Sequence, residues 1–306
     1  MDSSPRSTNL SPIYTINVLH ADSYKEMSRI TSSMDLVVAD QDHLMLAQVL
    51  RPDRDHVHKV LHRSKSKSKS LSELISSYFD NSEKTTRFCL SLRRCIAEAW
   101  RLYRPIQNLI DQLPQSHCDL VFQEFGKFDK EHNPFPGPDS PTLDQIRDLF
   151  GVLNRQLERR LSKSSSRIRF VRPPTVCCSG AAITAYTLAK FTRRELAYEA
   201  QIKVASRNTY ILKTDLDTLD SLVRRLHNAV EGDKRYIQMG LGIMNDNNTA
   251  QEVLKHLEMD QQNLRHCLDL LEQKITTCLI TVNQSRSLLL QEILHHQSKA
   301  ESSHSQ

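Results

Sequence analysis

A run of positions spaced alternately four and three residues apart constrains this chain more than any other feature. Leu71, Ile75, Tyr78, Ser82, Thr85, Cys89, Leu92, Ile96, Ala99, Tyr103, Ile106, Ile110 and Leu113 keep that spacing without a break. A repeat of 3.5 residues lays them on one helical face, the seam of a coiled coil or a long bundle helix. The polar centre of the seam, Ser82 and Thr85, disfavours an isolated two-stranded coil and predicts packing within a bundle. Pro105 lacks an N–H and its ring crowds the preceding turn, which predicts a kink or split near Arg104.

The same periodicity recurs. "DLVFQEFGKFDKEH" (119–132) is amphipathic, and Leu143, Ile146, Leu149, Phe150, Leu153, Leu157 and Leu161 mark a helix predicted to end in "SKSSSR". Leu216, Leu219, Val223, Leu226 and Val230 keep one face of another. Leu254, Leu257, Leu264, Leu268, Leu271, Ile275, Cys278, Val282 and Leu289 line a last helix that spans on the order of 65 Å. Only seven glycines and eleven prolines occur in 306 residues, too few turns for a many-stranded sheet, and no segment alternates like a strand. The expected fold is all-α, an elongated helical bundle with long coiled-coil-like helices.

Local signals divide the chain. Residues 1–12 read as a disordered tail, followed by helix candidates at 23–30 and 35–50. Pro52 suits a first helical position, with Asp53 and Asp55 in the opening turn of "PDRDHVHKVLHR". "SKSKSKS" (64–70) reads as a hinge and "NPFPGPDSP" (133–141) as a loop. Thr214 with Asp217 resembles a weak capping box, and Thr249 with Glu252 a fuller one. The expected division is an N-terminal helical region at 13–162, a basic and apolar junction at 163–192, a C-terminal helical region at 193–298 and a tail at 299–306.

Charge singles out that junction. The chain carries a net +5, yet Arg155–Arg207 holds twelve Lys/Arg against three acids, a local +9, so the remainder sums to −4. Inside this region lies "RPPTVCCSGAAITAYTLAKF" (172–191), the most apolar stretch. Its helical part, about fourteen residues and about 21 Å, falls short of the roughly 30 Å hydrocarbon core of a bilayer. Arginine or lysine flanks both ends, so nothing orients a crossing. Resting on an anionic surface is the alternative, each cation contributing about 1 kcal/mol. The candidate membrane contacts are Arg167, Arg169, Arg172, Lys190, Arg193 and Arg194. Cys177 and Cys178, adjacent and flanked by basic residues, are candidates for reversible acylation. A bundle element with a solvated basic rim explains the same residues without a membrane.

No nucleotide-binding, zincin or hydrolase signature occurs, so no catalytic residue, metal or cofactor is expected. His56, His58 and His62 share too little of one face to form a ligand set. Asp215, Asp217 and Asp220 are explained by a helix start, and Cys89, Cys95, Cys267 and Cys278 as small buried residues. Seven irregularly spaced cysteines and a polar Met1–Ser11 predict a reducing compartment and no secretory leader. Sparse aromatics in the basic region argue against nucleic acid.

Several blocks, taken together and in order, resemble an uncharacterised plant protein family, the At-fourteen-a-like proteins. They are "QVLRPDRDHVHKVL" (48–61), "SSYFDNSEKTTRFCLSL" (76–92), "NPF" (133–135), "YILKTDLDTLDSLVRRLHNAV" (210–230) and "LEQKITTCLITVNQSRSLLLQEI" (271–293). The resemblance implies a helical, membrane-associated protein, in some members integrin-like and linking plasma membrane to cytoskeleton. It supplies no catalytic or ligand residues. Members carry a longer apolar segment where Thr175–Ala189 stands, and "AITAYTLA" (182–189) is similar to its end. The expected function is a non-enzymatic adaptor or scaffold at the cytosolic face of the plasma membrane. Its expected partners are anionic lipid and cytoskeletal or other helical proteins, with self-association. The alternatives are a soluble cytosolic adaptor and, more weakly, a basic nucleic-acid binder.

Overall fold

The computed structural model describes residues 23–29, 46–47, 49–64, 69–111, 118–138, 140–171, 181–243 and 247–302; within these, the side chains at 64, 69, 118, 169–171, 181–190, 243, 247–248 and 299–302 lie outside the description. Six principal helices follow in order: α1 Arg54–Ser64, α2 Lys69–Asp111, α3 Cys118–Lys130, α4 Pro141–Val171, α5 Ala181–Ile243 and α6 Asn247–Ser302. No strand occurs among the described residues.

The predicted seams form the core. Every seam position of α2 from Leu71 to Ile110 is buried, and so is every one in α6 from Leu254 to Leu289. Each fully buried Leu or Ile contributes about 1.5–3 kcal/mol, so stripes of this length hold a helix that propensity alone leaves marginal. Antiparallel pairing sets the topology. Arg93 on α2 meets Glu272 on α6 at 3.3 Å, and Arg265 bonds Gln107 further along. Asp215 on α5 pairs with Lys274 on α6 at 2.6 Å, and Asn208 donates to the Ser285 carbonyl at 3.1 Å. Arg147 on α4 reaches Asp217 and Asp220 on α5 at 2.8 and 3.2 Å. Four long helices therefore alternate in direction. α1 packs beside the C-terminal half of α6, where Gln297 donates to the Val60 carbonyl, and α3 against the C-terminal half of α5, where Gln238 donates to Asp129.

The polar centre of the α2 seam has a partner. Arg286 of α6 is 1% exposed, and its Nη1 donates to the Ser82 hydroxyl at 2.7 Å and to the Phe79 carbonyl at 3.0 Å. Its Nη2 and Nε donate to the Pro52 carbonyl at 2.8 and 3.2 Å, and the guanidinium lies over the Phe79 ring at 5.0 Å. Carbonyl oxygens and a ring face, rather than a carboxylate, satisfy this buried cation. Burial pulls its pKa down to about 10, so it stays charged at neutral pH. Asn283 continues the clamp, donating to the Val49 carbonyl at 2.7 Å and accepting from the Arg51 N–H at 3.0 Å.

Several local expectations are corrected. α2 runs unbroken through Pro105, so the proline does not split it. Tyr103 and Ile106 are both buried and hold the turn. Pro52 precedes α1; Asp53 caps it, accepting from the His56 N–H at 2.7 Å. α4 continues past "SKSSSR" to Val171. Thr214 opens no helix, because α5 runs through it and its hydroxyl bonds the Tyr210 carbonyl at 3.1 Å. α6 begins at Asn247, two residues before Thr249. The aspartates at 215, 217 and 220 are mid-helix ion-pair partners of Lys274, Arg147 and Arg224 rather than first-turn residues. The divisions placed at 162/163 and 192/193 fall inside α4 and α5. Residues 1–12, 30–45, Leu113, 244–246 and 303–306 lie outside the described residues.

Candidate functional site

The described residues of the basic region lie on α4 and α5, which pack antiparallel as a hairpin pair. Asn154 faces Ser206 at 3.4 Å, Ser165 faces Glu199 at 3.5 Å, and the Ser164 hydroxyl donates to Glu195 at 3.1 Å. These hydroxyls turn the two acids of α5 inward. Glu195 is only 8% exposed and also meets Arg167 at 3.8 Å, while Glu199 holds Lys203 at 2.7 Å. Arg159, Lys163 and Arg193 are exposed and ion-pair with no described residue. Phe191 and Leu196 stand among them at 43% and 51% exposure. Inward acids and outward cations give this end of the bundle a positive potential studded with two apolar side chains.

Of the residues singled out from the sequence, Arg167, Arg193 and Arg194 are placed on this hairpin. Arg194 lies over the Tyr198 ring at 5.4 Å and donates to its hydroxyl at 2.6 Å. Arg169 and Lys190 belong to α4 and α5, their side chains outside the described residues, and Arg172, Cys177 and Cys178 lie outside them altogether. No helix among the described residues is long and apolar enough to cross a membrane, and none of their His, Cys, Asp and Glu side chains group as a metal site. Cys89, Cys267 and Cys278 are buried free thiols and Cys95 is half-buried, its pKa raised to about 11 chiefly by burial.

Two polar features escape a reading of the sequence. One is Arg286. The other lies at the opposite end, where Tyr103 of α2 donates its hydroxyl to Asp233 of α5 at 2.5 Å and rests edge-on to Phe128 of α3. Asp233 is 6% exposed, and its carboxyl is raised to about 6, chiefly by burial and also by Asp260. The signal was present: Asp233 continues the face of Leu226, Val230 and Ile237, where an aliphatic residue is the norm. The Tyr236 and His256 rings lie nearby, tilted against each other with centroids 4.0 Å apart, and His256 meets Asp260 at 3.2 Å.

A UPF0496 protein of Arabidopsis thaliana is 34% identical to this chain over 292 residues, covering 83% of the chain and 81% of the relative. The chain belongs to the UPF0496 family. A putative UPF0496 protein 2 of Oryza sativa subsp. indica is 33% identical over 94 residues, 31% of the chain and 23% of that protein. The same protein of subsp. japonica matches equally. No family profile and no solved structure matches the chain.

The blocks that pointed to a plant family meet in space in this UPF0496 chain. Arg286 and Asn283, from the 271–293 block, clamp Val49 and Pro52 from the first block and Phe79 and Ser82 from the second. In the "NPF" block, Asn133 donates to the His227 carbonyl at 3.0 Å and to Glu231 at 2.9 Å, and accepts from the Phe135 N–H at 3.0 Å. His227 Nδ1 in turn meets the Phe135 carbonyl at 3.1 Å. These residue types are what long-range hydrogen bonds between helices and loops require.

Proposed function

We propose that this protein is a non-enzymatic adaptor that rests on an anionic membrane surface through the α4–α5 hairpin and offers its long helical faces to other proteins. The At-fourteen-a-like and integrin-like reading, a link between plasma membrane and cytoskeleton, belongs to the same proposal, as does placement at the cytosolic face. The observation that carries it is the division of charge on the hairpin. Glu195 and Glu199 are occupied by internal partners, while Arg159, Lys163 and Arg193 face outward beside Phe191 and Leu196. Peripheral attachment combines these elements: cations near anionic headgroups contribute about 1 kcal/mol each, and shallow apolar side chains add to them. Acylation of Cys177 or Cys178 would strengthen the same contact.

Vesicle co-sedimentation tests the proposal. The protein is expected to bind vesicles containing phosphatidylserine and not neutral ones, with binding weakened by salt. Replacing Arg167, Arg169, Arg172, Lys190, Arg193 and Arg194 by Gln is expected to abolish binding. Failure to bind anionic vesicles, with the protein soluble in native fractionation, favours the soluble adaptor. Retention of oligonucleotides near physiological salt without lipid binding favours the nucleic-acid reading. Native protein that resists salt and carbonate and yields only to detergent indicates insertion.

A further inference from the structure

At the end of the bundle remote from the basic hairpin, α5 and α6 flank a cleft of about 500 Å³. Leu226, Ala229 and Leu264 give it an apolar lining, and four charged side chains border it: Arg225, Asp233, Arg235 and Asp260. Two of the four have local partners. Arg235 Nε donates to the Glu231 carbonyl at 3.2 Å, and Asp260 meets His256 at 3.2 Å. Of the other two, the Arg225 side chain has no hydrogen-bond or ion-pair partner and Asp233 no ion-pair partner among the described residues. Asp233 is buried and bonded only to the neutral Tyr103 hydroxyl, and Arg225 is exposed at the rim.

We propose that this cleft binds a small zwitterion, its ammonium end on the Asp233 carboxylate and its acid end on the Arg225 guanidinium, with a short carbon chain over Ala229 and Leu264. A buried carboxylate without a cation is where a charged donor gains most, because little water competes for it. A ligand of one sign is disfavoured: a plain amine meets Arg225 and Arg235, and a plain acid meets Asp233 and Asp260. Arg225 stands eight residues before Asp233, about 12 Å of helix rise, so the two ligand charges must be separated by several methylenes. An apolar wall with few convergent polar groups is the usual constitution of a small-molecule site. Tyr103, Tyr236 and His256 complete the titratable groups around Asp233.

Isothermal titration of the full chain at neutral pH, with ω-amino acids from γ-aminobutyrate to ε-aminocaproate and longer, tests this directly. Hexylamine and caproate serve as single-charge controls. One member of the series is expected to bind at least about tenfold more tightly than either control. Asp233→Asn, which keeps an acceptor for Tyr103, and Arg225→Gln are each expected to weaken it by about tenfold or more while helicity is unchanged. Hexylamine or caproate binding as tightly as the zwitterion overturns the proposal. So does zwitterion binding that survives either substitution, or no heat from any ω-amino acid in the millimolar range.

Discussion

Asp233 shows how one side chain sets a pH response. Its folded carboxyl titrates at about 6 against an ordinary 3.8, chiefly because burial disfavours the charged form; Asp260 adds repulsion, and the Tyr103 hydroxyl opposes both. The folded state thus holds this proton more tightly than the unfolded state. Asp233 therefore contributes most to stability below about pH 4, and that contribution is lost as pH rises through about 6. Asparagine cannot ionise and still accepts from Tyr103. Asp233→Asn is expected to stabilise the protein at neutral pH by about 1–3 kcal/mol, the gain shrinking to nothing toward pH 4. Urea unfolding at several pH values reads this; a gain that does not depend on pH would mean that ionisation of Asp233 is not its source. Arg286 makes the opposite case. Its charge survives burial because two carbonyls, a hydroxyl and a ring replace its water.

At the scale of the element, α2 tests how far packing overrides a local signal. Pro105 removes the hydrogen bond to the Arg101 carbonyl, and a proline inside a helix costs about 3 kcal/mol, yet the helix continues. Tyr103 and Ile106 are fixed in the core on either side of it. Pro105→Ala restores the N–H and is expected to stabilise the fold by about 1–3 kcal/mol in urea unfolding. Destabilisation would mean that contacts of the pyrrolidine ring outweigh the missing bond. The same contest explains what was legible in the sequence. The seams of α2 and α6 were, because apolar spacing records burial directly and does not depend on how a helix starts or stops. The interruptions expected at Pro105 and Thr214 do not occur, because long buried faces hold these turns helical. Hydroxyls such as Thr214 bond a carbonyl one turn back, and Asp217 serves Arg147 on a neighbouring helix. The basic hairpin was legible as charge. The inward turn of Glu195 and Glu199 was not, since it depends on Ser164 and Ser165 of the partner helix. The partners of Arg286 and Asp233 were hidden for the same reason: each of these polar residues sits on a buried face and bonds a group far along the chain.

Across the whole molecule, the arrangement of charge fixes an orientation on the proposed membrane surface. The Arg155–Arg207 region carries +9 and the rest of the chain −4. Alternating helix directions gather the C-terminal turns of α4 and the N-terminal turns of α5 at one end, while the Asp233 cleft lies forty residues along α5 from Arg193. That separation is about 60 Å of helix rise, several Debye lengths at physiological ionic strength. Lying flat would bring the net-negative remainder against anionic headgroups for little gain, since cations beyond Arg207 are balanced by acids. Standing on the hairpin brings its cations closer to the lipid than the Asp233 end, whose charges are screened over several Debye lengths. The protein is therefore expected to form an upright layer on phosphatidylserine-containing bilayers, with neutron reflectometry showing protein out to at least roughly 60 Å from the headgroups. The six-fold glutamine protein should leave no such layer. A thin layer, about the width of two or three packed helices and thus about 20–30 Å, would mean that the molecule lies along the membrane. In that case the long faces of α5 and α6, rather than the hairpin end, make the contact, and the charge argument fails.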